Sequence, residues 1–340
     1  MGPTVDTVLG RGRVAAEAGR WGEARRLFRM AAVETTPLLR DRARATDARR
    51  WCSIAGMRLG DWTAASADAR TALRSARELA DVGREARSLN VAGAVEFERG
   101  NWPAALDLFS KARLLARIAG DRPLQARIDN NEGSLWAARG FPARARRLYA
   151  SALAGFQANR EAAHAARVMN NLGLSILQEG GATEADEWLQ RATAAARGLG
   201  DKDLLLTVLI NAARAAAEVG DLSRARVRAA EARMLAERME GDPALADLAC
   251  ALATIARIER RWTSADEWIR TALEASKEGK NPLAAADALE QSARVRMDRG
   301  EFGKAAREIE RARAAYEALG ADGAVERMDR LASLLPMGQP

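Results

Sequence analysis

Cysteine, histidine, proline and aromatic residues are all scarce in this 340-residue chain, and each scarcity closes off a class of protein. The two cysteines, Cys52 and Cys250, stand about two hundred residues apart with no Cys/His spacing around them. That excludes a disulfide framework and a zinc-type site, and it fits a reducing compartment. The single histidine, His164, has no partner pattern, so neither a Ser-His-Asp nor a Cys-His set can be assembled. Carboxylates are scattered and no Gly-rich phosphate loop follows a strand. The chain therefore reads as a non-enzyme with no catalytic residue, cofactor or metal, and His164 as an ordinary helix-surface residue. No run approaches the roughly 18 uninterrupted apolar residues of a membrane span, and the first residues are not a basic-then-apolar leader, so a cytoplasmic location without membrane insertion is expected. Only nine prolines interrupt the chain, several where helices should begin, as at Asp242-Pro243 and Asn281-Pro282.

Apolar residues make up 48% of the chain but aromatics only 5%, so Ala and Leu dominate. That composition suits helices packed closely through small side chains. The length exceeds one ordinary core, which leaves two domains or a repeat array whose core grows by stacking. The net charge of +7 is unevenly placed: residues 1–180 carry 29 basic and 19 acidic side chains (+10), residues 181–340 carry 24 and 27 (−3). Lys occurs only at 111, 202, 277, 280 and 304, so the basic residues are nearly all Arg, which a high-GC genome produces as readily as a binding function does.

A repeat emerges once the turn glycines are aligned. Gly19, Gly60, Gly100, Gly140, Gly180, Gly220 and Gly300, with Arg260 substituting once, recur at a spacing of 41 and then 40. Five residues later every copy has Ala (24, 65, 105, 145, 185, 225, 265, 305), and twelve later Ala again (31, 72, 112, 152, 192, 232, 272, 312). Between them, at the ninth position, stand Phe28, Ala69, Phe109, Tyr149, Leu189, Ala229, Ile269 and Ile309. Offsets of four and three put all three positions on one helical stripe. Seven residues before the glycine a small residue recurs: Gly12, Ser53, Gly93, Gly133, Gly173, Ala213, Ala253 and Ala293. Trp21, Trp62, Trp102, Leu222, Trp262 and Phe302 follow the glycine position by two and are expected to pack, not to stack on a ligand.

This pattern of small residue, turn glycine, Ala, bulky residue and Ala resembles the tetratricopeptide repeat, whose usual unit is about 34 residues. The Asn-Asn-Glu-Gly of 130–133 and Asn-Asn-Leu-Gly of 170–173 resemble the 40-residue variant of kinesin light chains, of Pins/LGN scaffolds and of bacterial peptide-sensing and transcriptional regulators. The resemblance covers residues 5–320. It implies an all-α fold: a right-handed α-solenoid of eight helix pairs closed by a C-terminal capping helix. The expected organisation is a single array over 1–335, with repeats near 5–36, 41–80, 81–120, 121–160, 161–200, 201–240, 241–280 and 281–320 and a cap at 323–335. Gly-Asp links at 120–121, 200–201 and 241–242 should end one repeat with a left-handed residue and cap the next helix.

In such arrays the first helix of each pair lines the inner surface. Ten and nine residues before the glycine position, those helices carry Asn90, Asn130, Asn131, Asn170, Asn171 and Asn211. Asparagine is a poor helix-interior residue, so six in register need a reason. An amide offers donor and acceptor together and can pair with successive peptide units of a bound chain; the structural alternative is that these amides tie one repeat to the next. Arg87, Arg127 and Arg167 precede the ladder by three residues, and Arg214 lies further along. Stacked guanidiniums suit an acidic peptide or a free C-terminus. Asp247, Asp287, Glu290 and Asp298 occupy later inner positions, so the groove is expected to change sign.

The functional expectation is a protein–protein interaction scaffold or adaptor that holds a peptide segment of a partner. The alternative is a peptide-sensing or regulatory module of a bacterial signalling or transcription system. Interspersed charges and aromatics committed to packing argue against nucleic-acid binding. Self-association through end helices or Ala-rich outer faces stays open.

Overall fold

Alanine, glycine and one bulky side chain per repeat decide how the helices meet. The computed structural model describes residues 4–33, 39–239, 244–279 and 281–336, and the side chains of 39–41 lie outside the description. Among the described residues there are seventeen α-helices and no strand. Two compact units divide within one helix, the first Met1–Glu132 and the second Gly133–Pro340.

The first unit contains α1 (Val5–Glu17), α2 (Trp21–Val33), α3 (Leu39–Arg58), α4 (Trp62–Glu78), α5 (Val82–Glu98), α6 (Trp102–Ile118) and the start of α7 (Arg122–Ala138). The second holds the end of α7 and α8 (Pro142–Ala158), α9 (Ala162–Gln178), α10 (Ala182–Leu199), α11 (Lys202–Val219) and α12 (Leu222–Ala236). It continues with α13 (Leu245–Ile258), α14 (Trp262–Glu278), α15 (Pro282–Asp298), α16 (Phe302–Ala318) and α17 (Asp322–Ser333). In each unit odd and even helices pack as pairs, and successive odd helices also touch, as in α3 with α5 and α11 with α13.

The core lies where the ninth-position side chain of each even helix meets the small residue of its odd partner. A Cβ added to Gly12 would stand 2.5 Å from a ring carbon of Phe28, one on Gly93 2.6 Å from Phe109, and one on Gly133 2.8 Å from Tyr149. Where the odd helix carries Ala instead, the partner is smaller: Ala213 with Ala229, Ala253 with Ile269, Ala293 with Ile309. Phe28 and Phe109 are fully buried, each contributing about 1.5–3 kcal/mol of transfer free energy. The flanking alanines of the stripe are buried in every copy, from Ala24 and Ala31 to Ala305 and Ala312.

The turn series adopts the backbone that glycine favours: Gly19 to Gly300 all have φ between 69° and 91°, and Arg260 takes φ 56° in the same place. Asp61, Asp81, Asp121, Asp201, Asp221 and Asn281 cap the helices that follow them, each accepting from the backbone N–H three residues on. The links at 120–121 and 200–201 form as expected; Gly241-Asp242 and Asp242-Pro243 lie outside the described residues. The residues that follow the turn glycines by two all begin their helices but divide in burial: Trp102 is buried, whereas Trp62 and Phe302 are exposed. The cap starts at Asp322 and ends at Ser333, slightly short of the expected 335. It packs on α16 and also reaches the α7–α8 turn, where Gly323 donates its N–H to the Arg139 carbonyl at 2.9 Å and Arg139 pairs with Asp322.

Candidate functional site

In the second unit, α9, α11, α13, α15 and α17 line a cavity of about 530 Å³. The volume falls in the range of small-ligand sites, about 300–1,000 Å³. Of the residues singled out in the sequence, Asn170, Asn171, Asn211 and Arg214 line it. Asp247, Asp287 and Glu290 line it as well, so the inner surface carries both signs here. Asp298 does not; it pairs with Arg257 at 2.7 Å.

The amides bond to one another. Asn211 Nδ2 donates to Asn170 Oδ1 at 2.9 Å, linking α11 to α9, and Asn170 Nδ2 donates to Asn171 Oδ1 at 3.2 Å. In the first unit Asn131 donates to Asn90 at 3.1 Å and Asn130 to Asn131 at 3.3 Å. The ladder thus ties neighbouring odd helices together, which explains its register, while each amide has two donors and two lone pairs and uses only part of that capacity in these bonds.

The arginines that precede the ladder also have structural partners. Arg87 donates to Asp121 at 2.6 Å and Arg167 to Asp201 at 2.7 Å, in each case the carboxylate that caps the next odd helix. Both remain near 40% exposed. Their separation from the cap, 34 residues both times, is a sequence signal that the Arg-x-x-Asn spacing alone does not convey. Arg127, in the first unit, is half-buried.

The far wall of the cavity is a charge network that sequence reasoning found only in part. Glu290, 6% exposed, receives Arg327 Nη2 at 2.8 Å and Arg294 Nη2 at 2.9 Å. Burial alone would raise its carboxyl; the two guanidiniums, Arg327 foremost, overcome that and hold it down at about 2. The Tyr316 hydroxyl lies 2.6 Å from Asp287 Oδ1 and 3.0 Å from Glu290 Oε2. Asp287 keeps surface open to the cavity but is enclosed by protein, and that desolvation, with Glu290 beside it, pushes its carboxyl up to about 6 against the Tyr316 hydrogen bond. Desolvation also raises Asp247, opposed by Arg214, and takes the Cys250 thiol up to about 12. Arg214 shares the cavity lining with Asp247 and Asp287. Arg327 was missed because α17 reads as a cap, and Tyr316 because it stands on α16, the second helix of its pair, not on an inner first helix; an arginine on a cap helix otherwise buried through Ala324, Met328 and Leu331 was the available clue.

Among the described residues no group of three His, Cys, Asp or Glu could hold a metal ion, and no helix is long and apolar enough to cross a membrane. His164 stacks on Phe156 at 5.0 Å and approaches Glu161 at 3.2 Å on a half-exposed surface.

No protein-family model and no curated protein matches the chain. Solved structures do resemble it. A Rap protein complexed with competence and sporulation factor is 13% identical, with 97% of each chain covered and a TM-score of 0.67. NprR in complex with its cognate peptide NprX is 14% identical, again with 97% of each chain covered and a TM-score of 0.65. A signal-transduction ATPase with a tetratricopeptide repeat sensor from Pyrococcus horikoshii is 13% identical, covering 97% of this chain and 52% of that one at a TM-score of 0.56. The likeness establishes the tetratricopeptide-type fold.

Proposed function

We propose that the chain is a non-catalytic, cytoplasmic adaptor that binds a short peptide segment of a partner in the cavity of its second unit. The observation that carries this reading is the composition of the cavity wall: amides from α9 and α11, a guanidinium at Arg214 and carboxylates at Asp247 and Asp287. Amides match the backbone of an extended peptide, and charges of both signs fix its direction, since a reversed ligand would meet like charges. In this reading Asn170, Asn171, Asn211 and Arg214 contact the ligand, Arg167 stands beside them in the same unit, and Arg87, Asn90, Arg127, Asn130 and Asn131 form the amide and arginine rows of the first unit. Likeness to NprR, solved with its cognate peptide, supports peptide as the ligand class.

A second reading, a peptide-sensing regulatory module, is favoured by the likeness to NprR, which is a quorum sensor. In that case the same cavity takes the signal and the bound peptide changes how the helices stack. A synthetic peptide array probed with the wild-type chain and with Arg214→Ala tests the shared premise. Peptides retained by wild type and lost with the variant support it; identical retention by both proteins rejects the cavity as the site.

A further inference from the structure

In α12 the packing stripe is alanine throughout: Ala225, Ala229, Ala232 and Ala236 are its buried residues. Ala229 holds the ninth position, where Phe109, Tyr149, Leu189 and Ile269 stand in other copies; Ala69 is the other alanine there. The missing volume leaves a second cavity in the second unit, about 220 Å³, between α12, α13 and the start of α14. It lies on the other side of α13 from the first cavity. Asp247 lines the first, Leu252 and Ala256 line the second, and these stand about 140° and 180° further round the helix.

The floor of this outer cavity is apolar. Ile255 and Ala256 are buried, Leu252 and Trp268 half-buried, and Trp268 packs on the core formed with Ala265 and Ile269. The solvent side of α12 is apolar as well: Val227 and Met234 are 65% and 52% exposed, and Ala230, between them on the same stripe, is exposed and lines the cavity. A surface helix ordinarily turns polar residues outward, and an exposed apolar patch with a polar rim marks an interaction surface. A volume of about 220 Å³ falls below the roughly 300 Å³ at which small-ligand sites begin, so the cavity suits one bulky side chain, and the strip on α12 continues the contact beyond it.

The rim is basic. Arg226, Arg233 and Arg261 line it and are 63%, 59% and 60% exposed. Arg226 and Arg261 share the Glu259 carboxylate, at 2.5 and 3.0 Å, and Glu259 is 4% exposed beneath them. Arg261 also donates to Ser264 at 3.2 Å, and Arg233 approaches Glu237 at 3.7 Å. Three guanidiniums against two carboxylates leave the mouth positive, and each guanidinium has five donors, more than these contacts use. A second copy docked through the same patch about a two-fold axis would set these arginines against one another, so charge complementarity selects an acidic partner instead.

We infer that the second unit carries a second docking surface, on its second-helix side, for an amphipathic, acidic helix of a partner protein. One bulky apolar side chain of that helix enters the cavity over Leu252, Ile255 and Trp268, and carboxylates within a turn of it meet Arg226, Arg233 and Arg261. A helix laid in a groove is read through such anchors three and four residues apart, and forked guanidiniums bind carboxylates in two-point geometry. The surface is independent of the inner cavity, so a chain holding a peptide on one side of α13 can hold this helix on the other. Arg233 belongs to the outer surface alone.

The test uses the full chain labelled with 5-fluorotryptophan, the Trp268 signal being assigned with Trp268→Phe. A display library of amphipathic helices about five turns long, one face randomised, is selected on wild type and depleted on Ala229→Ile. That variant fills the cavity without changing charge and recreates the pairing of Ala253 with Ile269, so helices held by the arginines alone bind both proteins and are removed. The selected helices should carry Phe, Leu or Trp with Asp or Glu three or four residues away, and should shift the Trp268 signal saturably. Their Kd should rise at least about tenfold for Ala229→Ile, for Ala230→Glu and for Arg226→Gln combined with Arg261→Gln, and stay unchanged for Arg214→Ala. Ala230 is exposed, so Ala230→Glu should keep the wild-type thermal midpoint and carries the test if Ala229→Ile is destabilised. No selected helix, selected helices without acidic residues, affinity that survives Ala230→Glu, or affinity lost with Arg214→Ala would overturn the surface. Saturation of the Trp268 signal by 4-phenylbutyrate as tight as by the best helix would make it a small-molecule site and likewise overturn the partner. A wild-type dimer in sedimentation that Ala230→Glu dissociates would assign the surface to a second copy, with the same consequence. None of these results bears on the peptide cavity, which Arg214→Ala tests with its own ligand.

Discussion

If the small residue of each odd helix and the ninth-position residue of its partner are one packing unit, Gly93 and Phe109 should be energetically coupled. Gly93→Ala alone places a methyl group 2.6 and 2.7 Å from two ring carbons of a fully buried Phe109. Overpacking of this kind costs about 2–3 kcal/mol, and the better helix propensity of Ala returns about 1, for a net loss of about 1–2 kcal/mol. Phe109→Ile alone leaves a hollow over the glycine and costs about 1–2 kcal/mol. The double variant recreates the pairing already used at Ala253 with Ile269 and Ala293 with Ile309, so it should lose no more than about 1 kcal/mol, a coupling of about 2. Urea unfolding followed by far-UV circular dichroism measures all four proteins, with an unchanged slope expected. Additivity within about 0.5 kcal/mol would refute the packing unit.

Other parts of the structure give further expectations. Arg260→Gly should raise stability by about 1 kcal/mol, because Arg260 holds the left-handed turn that glycine holds in the other copies; a thermal midpoint that falls would contradict this. Asp186 is 5% exposed and binds Arg228 at 2.7 Å and Arg224 at 3.0 Å, so Asp186→Ala should cost about 3 kcal/mol by leaving the largely buried Arg228 without a carboxylate, while Arg224 keeps Asp221 at 3.1 Å, read from the urea midpoint. The pH profile has two opposed limbs. Glu290, depressed to about 2 from an ordinary 4.5, contributes stability above pH 4.5 that is lost as pH falls toward 2. Asp287, raised from 3.8 to about 6, contributes stability below pH 3.8 that is lost as pH rises through 6. Asp287→Asn should therefore be more stable than wild type at pH 8 and little different at pH 4.5, while Glu290→Gln should be less stable at pH 7; the reverse order in a series of thermal melts would contradict the network.

Much of the fold was legible because the repeat writes its packing rule in single letters. The turn glycines, the paired alanines and the match of Gly12, Gly93 and Gly133 to aromatic ninth positions locate each helix pair before any coordinates. The site was legible only in outline. Asn170, Asn171, Asn211 and Arg214 could be placed on inner helix faces by register, but register cannot tell an amide that faces a ligand from one that bonds its neighbour, as Asn211 does with Asn170. Arg87 and Arg167 looked like a free stack because their partners, Asp121 and Asp201, are 34 residues away and were read only as caps. Tyr316 and Arg327 reach Asp287 and Glu290 across a tertiary contact that no local pattern encodes.

The most direct test of the peptide-binding account is the affinity of the best array-selected peptide, measured by fluorescence anisotropy for wild type, Asn211→Ala, Arg214→Ala and an outer-face control, Arg233→Ala. Arg233 is about 59% exposed and away from the cavity lining. The account predicts at least about a tenfold weaker Kd, about 1.4 kcal/mol, for both cavity variants and no change for Arg233→Ala. Equal affinities for all four proteins would contradict it.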